Sequence, residues 1–311
     1  MLDPCCSPGG AAVRLAIAAM ATRFELVLPI GQPGLGEASL RAAGEAALAE
    51  VTEVEDWLSV YRPQSQIARV NSGAACAPVR VLLPVFALLV AARDWSQRTG
   101  NAFDPTVGPL VRFWREADPA AGDWTSRMAT ARGLVGWRDV ELAAGAVRFH
   151  RPGIQLDLGS IGKGWALDRA LEVLREAGVT SALLHGGTST VAALGSPPDA
   201  AEWWIEIADA PDAPASPPTE RLRVPLWDAA LSVSATWGRT HRDPQGRLRG
   251  HILDPRTGEP VEGPRRAAVV GPSGLITDVL STALLVAGAT FLSELPSLGV
   301  GLRGWYHGLP G

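Results

Sequence analysis

Apolar residues recur along this chain at two different spacings, and the changes of spacing mark out its elements. Across residues 16–28 (AIAAMATRFELVL) Phe24, Leu26 and Leu28 fall on one face at the two-residue period of a strand. Beyond a glycine-rich turn at 31–36, the residues Leu40, Ala47, Val51, Val54 and Leu58 fall near helical intervals with acids opposite, which predicts a long surface helix over 38–57. Residues 84–99 open with Pro84 and stop before Gly100, the asymmetry expected of a helix. Short strands are expected at 139–142, 147–150 and 154–158, and a helix at 163–177 closes on Gly178. Further strands are expected at 181–194, 203–208, 231–234 and 267–270, with an apolar helix at 275–287. Strands and helices mix without regular βαβ alternation, which predicts an α+β fold.

The segment 1–15 reads as a flexible terminus, and 16–311 as one catalytic domain of two intertwined α+β subdomains. Within it, the Pro-, Ala- and Asp-rich stretch near 209–220 reads as a mobile loop.

Composition narrows the partners. A net charge of −4 without any Lys/Arg run leaves nothing to grip a phosphate backbone non-specifically, so nucleic acid is excluded as an expected partner. The three cysteines, Cys5, Cys6 and Cys76, supply neither a disulfide framework nor zinc-ligand spacing. No apolar run approaches the ~18 residues of a membrane span. The start lacks a basic n-region, so a cytoplasmic protein is expected.

Five segments interrupt these apolar surroundings with chemistry. DLGSIGKG, residues 157–164, lies between a predicted strand and helix; its glycines, helix N-terminus and Lys163 suit a phosphate or pyrophosphate. It is not a Walker A loop, which needs four residues before Gly-Lys and a following Ser or Thr. In DVLST, residues 278–282, the Asp278 carboxylate and the Thr282 hydroxyl share a helix face and can converge on a hard cation such as Mg²⁺. His251, in HILDPRTG at 251–258, is one of five histidines and could serve as a general base. FDPTVGPL at 103–110 and LSVYRPQSQIARVN at 58–71 complete the set; Tyr61, one of two tyrosines, could stack on a flat heterocycle. Each segment alone also reads as a turn, a cap or a solvated side chain.

Taken in order, these segments resemble the ApbE family. The match runs through MATRF at 20–24, residues 58–71, 103–110, the KGWALD run within 157–168, the Gly186-Gly187 neighbourhood, 251–258 and 278–284. The resemblance implies an ApbE-like α+β fold with a cofactor cleft between two subdomains. It also implies an enzyme, an FAD:protein FMN transferase that uses FAD as substrate and Mg²⁺, modifying a Thr or Ser of an acceptor flavoprotein or FMN-binding domain and releasing AMP. By motif position, Met20, Tyr61, Ala102, Phe103, Asp104, Asp157, Lys163, His251 and Ile252 would face FAD; the Ser160 carbonyl, Asp278 and Thr282 would hold the metal; and His251 would also activate the acceptor hydroxyl.

The chain departs from the usual pattern where Gly250 replaces the first of a His pair, where Thr188 stands for the acid after Gly-Gly, and at Ser160 and Gly162 of the phosphate loop. Two alternatives stay open at this level: an Mg²⁺-dependent FAD pyrophosphatase giving FMN and AMP, and a non-catalytic FAD-binding protein.

Overall fold

The computed structural model describes residues 2–4, 10–118, 120, 122–207, 222–238, 240–263 and 265–308; the loop near 209–220 lies outside them. The chain runs through β1 (Leu2–Pro4), β2 (Ala12–Ala19), β3 (Thr22–Pro29), α1 (Glu37–Leu58), α2 (Gln66–Gly73), β4 (Val79–Arg80) and α3 (Leu83–Arg98). It continues with α4 (Gly108–Glu116), α5 (Trp124–Arg132), β5 (Val140–Ala143), β6 (Ala146–Phe149), α6 (Gly162–Glu176), β7 (Ala182–Gly186) and β8 (Thr190–Leu194). It ends with β9 (Trp203–Ile207), β10 (Leu222–Leu226), β11 (Ala230–Ala235), β12 (Thr240–Arg242), β13 (Leu248–Gly250), β14 (Arg265–Gly271), α7 (Gly274–Ala287), α8 (Leu295–Leu298) and β15 (Arg303–Gly308).

The architecture is α+β. Seven antiparallel strands, ordered β15-β14-β11-β8-β7-β3-β2, form the central sheet. Alternation along each strand sends Leu26, Leu28, Leu184, Ala192 and Val269 to one face, where they join the buried faces of α1, α6 and α7 in the main core. Their neighbours Val27, Leu183, Val191, Leu231 and Val270 point the other way and are covered by β9 and β10 around the fully buried Trp203. β7 and β8 are therefore buried on both faces. The main core continues outward through α1 to α2, α3 and the small β4-β6-β5 sheet.

Four sequence expectations change. Residues 16–28 are not one strand but the halves of the β2–β3 hairpin, reversed at Met20 and Ala21 with φ of 51° and 57°. Neither residue advertises a left-handed turn, so the pattern concealed it. Residues 181–194 likewise fold back at Gly187, φ 68°, into β7 and β8. Residues 154–158 form no strand: the Asn71 carboxamide donates to the Leu156 carbonyl at 2.9 Å and accepts its N–H at 2.7 Å, taking the place of a neighbouring strand. The segment 1–15, expected to be flexible, contributes β1, paired with β9, and the start of β2. No helix among the described residues is long and apolar enough to cross a membrane.

Candidate active site

Two hairpin turns and one helix start meet at one end of the sheet. α6 begins without a side-chain N-cap; its Gly162 N–H goes instead to the Leu158 carbonyl at 2.9 Å. Gly162 in that turn leaves space that a Cβ would place 4.0 Å from the Met20 sulfur. Gly186 is more tightly hemmed: a Cβ there would lie 3.1 Å from Phe24 and 3.6 Å from the Lys163 Cβ. Met20, in turn, is anchored by its N–H donating to Glu55 of α1 at 2.9 Å. Lys163 is half-buried at this junction, and it is the only lysine among the 28 Lys and Arg residues of the chain.

The starts of α6 and α7 lock together. A Cβ on Gly164 would fall 2.0 Å from the Gly274 carbonyl oxygen, and one on Gly274 2.4 Å from that of Gly164, so the backbones touch where only glycine fits. The Gly164 N–H donates to Asp278 Oδ2 at 2.7 Å, and Thr190 Oγ1 donates to Asp278 Oδ1 at 2.8 Å. Reciprocally, Asp168 of α6 accepts from the Gly274 N–H at 2.6 Å, the Leu275 N–H at 2.9 Å and the Ser273 hydroxyl at 2.7 Å. Burial pushes the Asp168 carboxyl above its usual range, and the Asp278 charge pushes the same way. Thr282, one turn beyond Asp278, is half-buried with its hydroxyl 3.5 Å from that of Ser234, and Ser160 lies exposed in the turn before α6.

A second group flanks the phosphate loop. The Asp157 N–H donates to the Pro105 carbonyl at 2.8 Å, joining the 157 and 104 segments. Burial raises the proton affinity of Asp157, opposed by the Gly159 N–H and by the Arg115 charge. Asp104 is also pushed up by burial, and its carboxylate is turned inward onto the Thr106 N–H at 2.8 Å and hydroxyl at 2.7 Å. Ala102 and Phe103 are each 1% exposed and belong to the core, so only backbone atoms there can meet a ligand. Tyr61 is 71% exposed, and its hydroxyl accepts from Arg115 at 3.3 Å.

His251 opens a segment that packs against α4 further along the chain. It follows β13, with its Cε1 beside Gly238, and Ile252 after it packs on the main core. The turn that comes next is tied to α4 by Trp114 Nε1 donating to the Gly258 carbonyl at 2.9 Å and by Leu253 packing with Leu110, Phe113 and Trp114. α4 also carries Arg115, whose charge acts on Asp157 and, after burial, on His241 of β12, lowering the proton affinity of that imidazole.

The ApbE family model matches residues 20–297. The chain belongs to the ApbE family. FAD:protein FMN transferases are similar to it: that of Klebsiella pneumoniae (strain 342) at 32% identity over 76% of this chain and 73% of the relative, and that of Treponema pallidum (strain Nichols) at 30% over 84% and 76%. The apo structure of the Pseudomonas stutzeri flavinyl transferase ApbE superposes with a TM-score of 0.77 at 25% identity, covering 97% of this chain and 92% of that one.

Within this ApbE fold, the donor set fits a hard cation. Asp278 is 5% exposed and forms no ion pair among the described residues, so a buried carboxylate stands without a basic counter-ion. No group of three or more His, Cys, Asp or Glu side chains gathers for a metal among the described residues, so a cation here would combine one carboxylate with neutral oxygens and ligand phosphates, a set that suits Mg²⁺.

Sequence reasoning missed Asp168, Thr190, Arg115 and His241. Asp168 stood inside the KGWALD run, and its repetition of the Gly-x-x-x-Asp spacing seen at Gly274 and Asp278 was a usable signal. The singularity of Lys163 was another. Nothing local to Thr190 or His241 distinguishes them from other strand residues.

Proposed function

We propose that this chain is an FAD:protein FMN transferase that moves the FMN half of FAD onto a Thr or Ser hydroxyl of an acceptor flavoprotein, with Mg²⁺ bound and AMP released. The observation that carries this reading is the junction of the Lys163 loop with the start of α7, where the Gly164 N–H meets the Asp278 carboxylate at 2.7 Å. An anion-binding helix start and a carboxylate suited to a cation share one point, the arrangement that a pyrophosphate with its counter-ion requires.

Lys163, at the positive end of the α6 dipole, binds the pyrophosphate, and Tyr61 with the backbone of 102–104 borders the adenosine end. Asp278, Thr282 and the Ser160 carbonyl would hold Mg²⁺, which, when bound, offsets negative charge on the phosphate oxygens. His251 takes the proton from the acceptor hydroxyl as its oxygen bonds to the FMN-side phosphorus. The bond from that phosphorus to the bridging oxygen breaks, and AMP departs with the electron pair. Lys163 faces the charge that gathers there.

Incubation with FAD, Mg²⁺ and an acceptor domain should add the mass of FMN to the acceptor. His251→Ala should abolish that gain while FAD still binds. Free FMN and AMP formed at the same rate without acceptor would replace this reading with hydrolysis, and tight FAD binding without turnover would replace it with a carrier.

A further inference from the structure

The cation reading of Asp278 raises the question of what aims its carboxylate. Both oxygens are already engaged, Oδ2 by the Gly164 N–H at 2.7 Å and Oδ1 by the Thr190 hydroxyl at 2.8 Å. Two bonds from two different elements, α6 and β8, fix the plane of the carboxylate and leave its remaining lone pairs as the surface available to a cation. Thr190 is fully buried, so its hydroxyl is held in place and is shielded from competing water.

The second half of the device is the clasp between the helices. Gly164 and Asp168 are four residues apart on α6, and Gly274 and Asp278 are four apart on α7. Each aspartate takes the N–H of the other helix's glycine, at 2.6 Å and 2.7 Å, and the two glycine backbones touch at the centre. Asp168 adds the Leu275 N–H and the Ser273 hydroxyl, so it holds the N-cap and the first two amides of α7. Neither helix can slide along the other without breaking bonds at both ends. Ser160 and Lys163 precede Gly164 directly in the chain, so this register also sets how far Asp278 stands from the phosphate loop.

We propose that Thr190 and Asp168 are positioning residues for the divalent cation: Thr190 orients the Asp278 carboxylate, and Asp168 locks the α7 start that carries it. The inference rests on the cation reading above, and its test separates the two.

Mn²⁺ binding to the full chain, with FAD present and no acceptor, is followed by the loss of the free-ion electron paramagnetic resonance signal. Thr190→Val preserves shape and removes the donor; it should weaken Mn²⁺ binding about tenfold or more, the scale of outer-shell changes at metal sites. Thr190→Ser, which keeps the hydroxyl, should recover most of the affinity. Asp168→Asn puts an NH₂ against amides that need an acceptor and should weaken Mn²⁺ binding on the same scale, with an unchanged far-ultraviolet circular dichroism spectrum. In turnover, both weakened variants should need more Mg²⁺ and approach the wild-type kcat once Mg²⁺ saturates, whereas general structural damage lowers kcat at any Mg²⁺ concentration. Should Thr190→Val fail to fold, Thr190→Ala and Asp168→Asn carry the same comparison. Wild-type Mn²⁺ affinity in the Thr190 and Asp168 variants overturns the positioning roles. A wild-type chain that binds no Mn²⁺ overturns the cation reading itself.

Discussion

At the scale of single residues, the site is a set of costs accepted by the fold. Asp157 has no ion-pair partner among the described residues, and burial keeps its folded proton affinity above that of the unfolded chain. Its favourable contribution is therefore present below the ordinary carboxylate value of about 4 and is lost as pH rises through the raised folded value. Asp157→Asn keeps the oxygen that accepts the Gly159 N–H and should make the ligand-free protein more stable than wild type at pH 7.5, with the difference vanishing near pH 4. Thermal unfolding at the two pH values measures it; an equal Tm for both proteins at pH 7.5 would count against the burial argument. Lys163 offers a cleaner experiment because no second lysine exists. Amine-selective modification should mark Lys163 and the terminal amine alone, and FAD should protect Lys163 while the terminal amine stays reactive. Peptide mass mapping with and without FAD reads the outcome. These two residues were legible in the sequence because the loop's residue types state its chemistry. Thr190 and Arg115 were not, since a buried threonine on a strand and an arginine on a helix acquire meaning only from what they touch.

At the scale of elements, the α6–α7 contact decides the geometry. A Cβ on Gly274 would sit 2.4 Å from the Gly164 carbonyl oxygen, a backbone atom that cannot rotate away. Gly274→Ala should cost about 3 kcal/mol or more, the upper end of overpacking effects, and should weaken Mn²⁺ binding together with stability. Urea denaturation and the spin-resonance titration check both halves. The helices themselves were readable: the sequence placed α1, α3, α6 and α7 within a residue or two of their observed bounds. The hairpins were not: Met20 and Ala21 reverse the chain at positive φ without being turn residues, and the turn at Gly187 lies inside an otherwise continuous apolar run. Residues 154–158 misled for the opposite reason. Their apolar spacing is that of a strand, but the backbone of Leu156 bonds to the Asn71 side chain and the Asp157 N–H to the Pro105 carbonyl rather than to a partner strand.

At the scale of the whole molecule, the sheet separates two tasks. Its α1, α6 and α7 face carries the site, and its other face carries the β9–β10 layer built on Trp203. Trp203→Ala should cost about 3–5 kcal/mol by opening a cavity in that layer, yet leave FAD affinity unchanged in the protein that remains folded, because the layer lies across the sheet from the phosphate loop. Denaturant titration and flavin fluorescence read the two quantities separately. By itself the sequence determined the α+β class, the principal helices, the ApbE membership and the residue types of an anion loop, an oxygen pair and a histidine, since periodicity, local backbone preference and short motifs are written in consecutive residues. Only the tertiary structure decided that Gly164 and Gly274 touch, that Asp168 and Asp278 exchange partners, and that Thr190 holds the carboxylate. Contacts between residues some 90 to 115 positions apart depend on how close-packed surfaces meet, and no local pattern encodes that meeting.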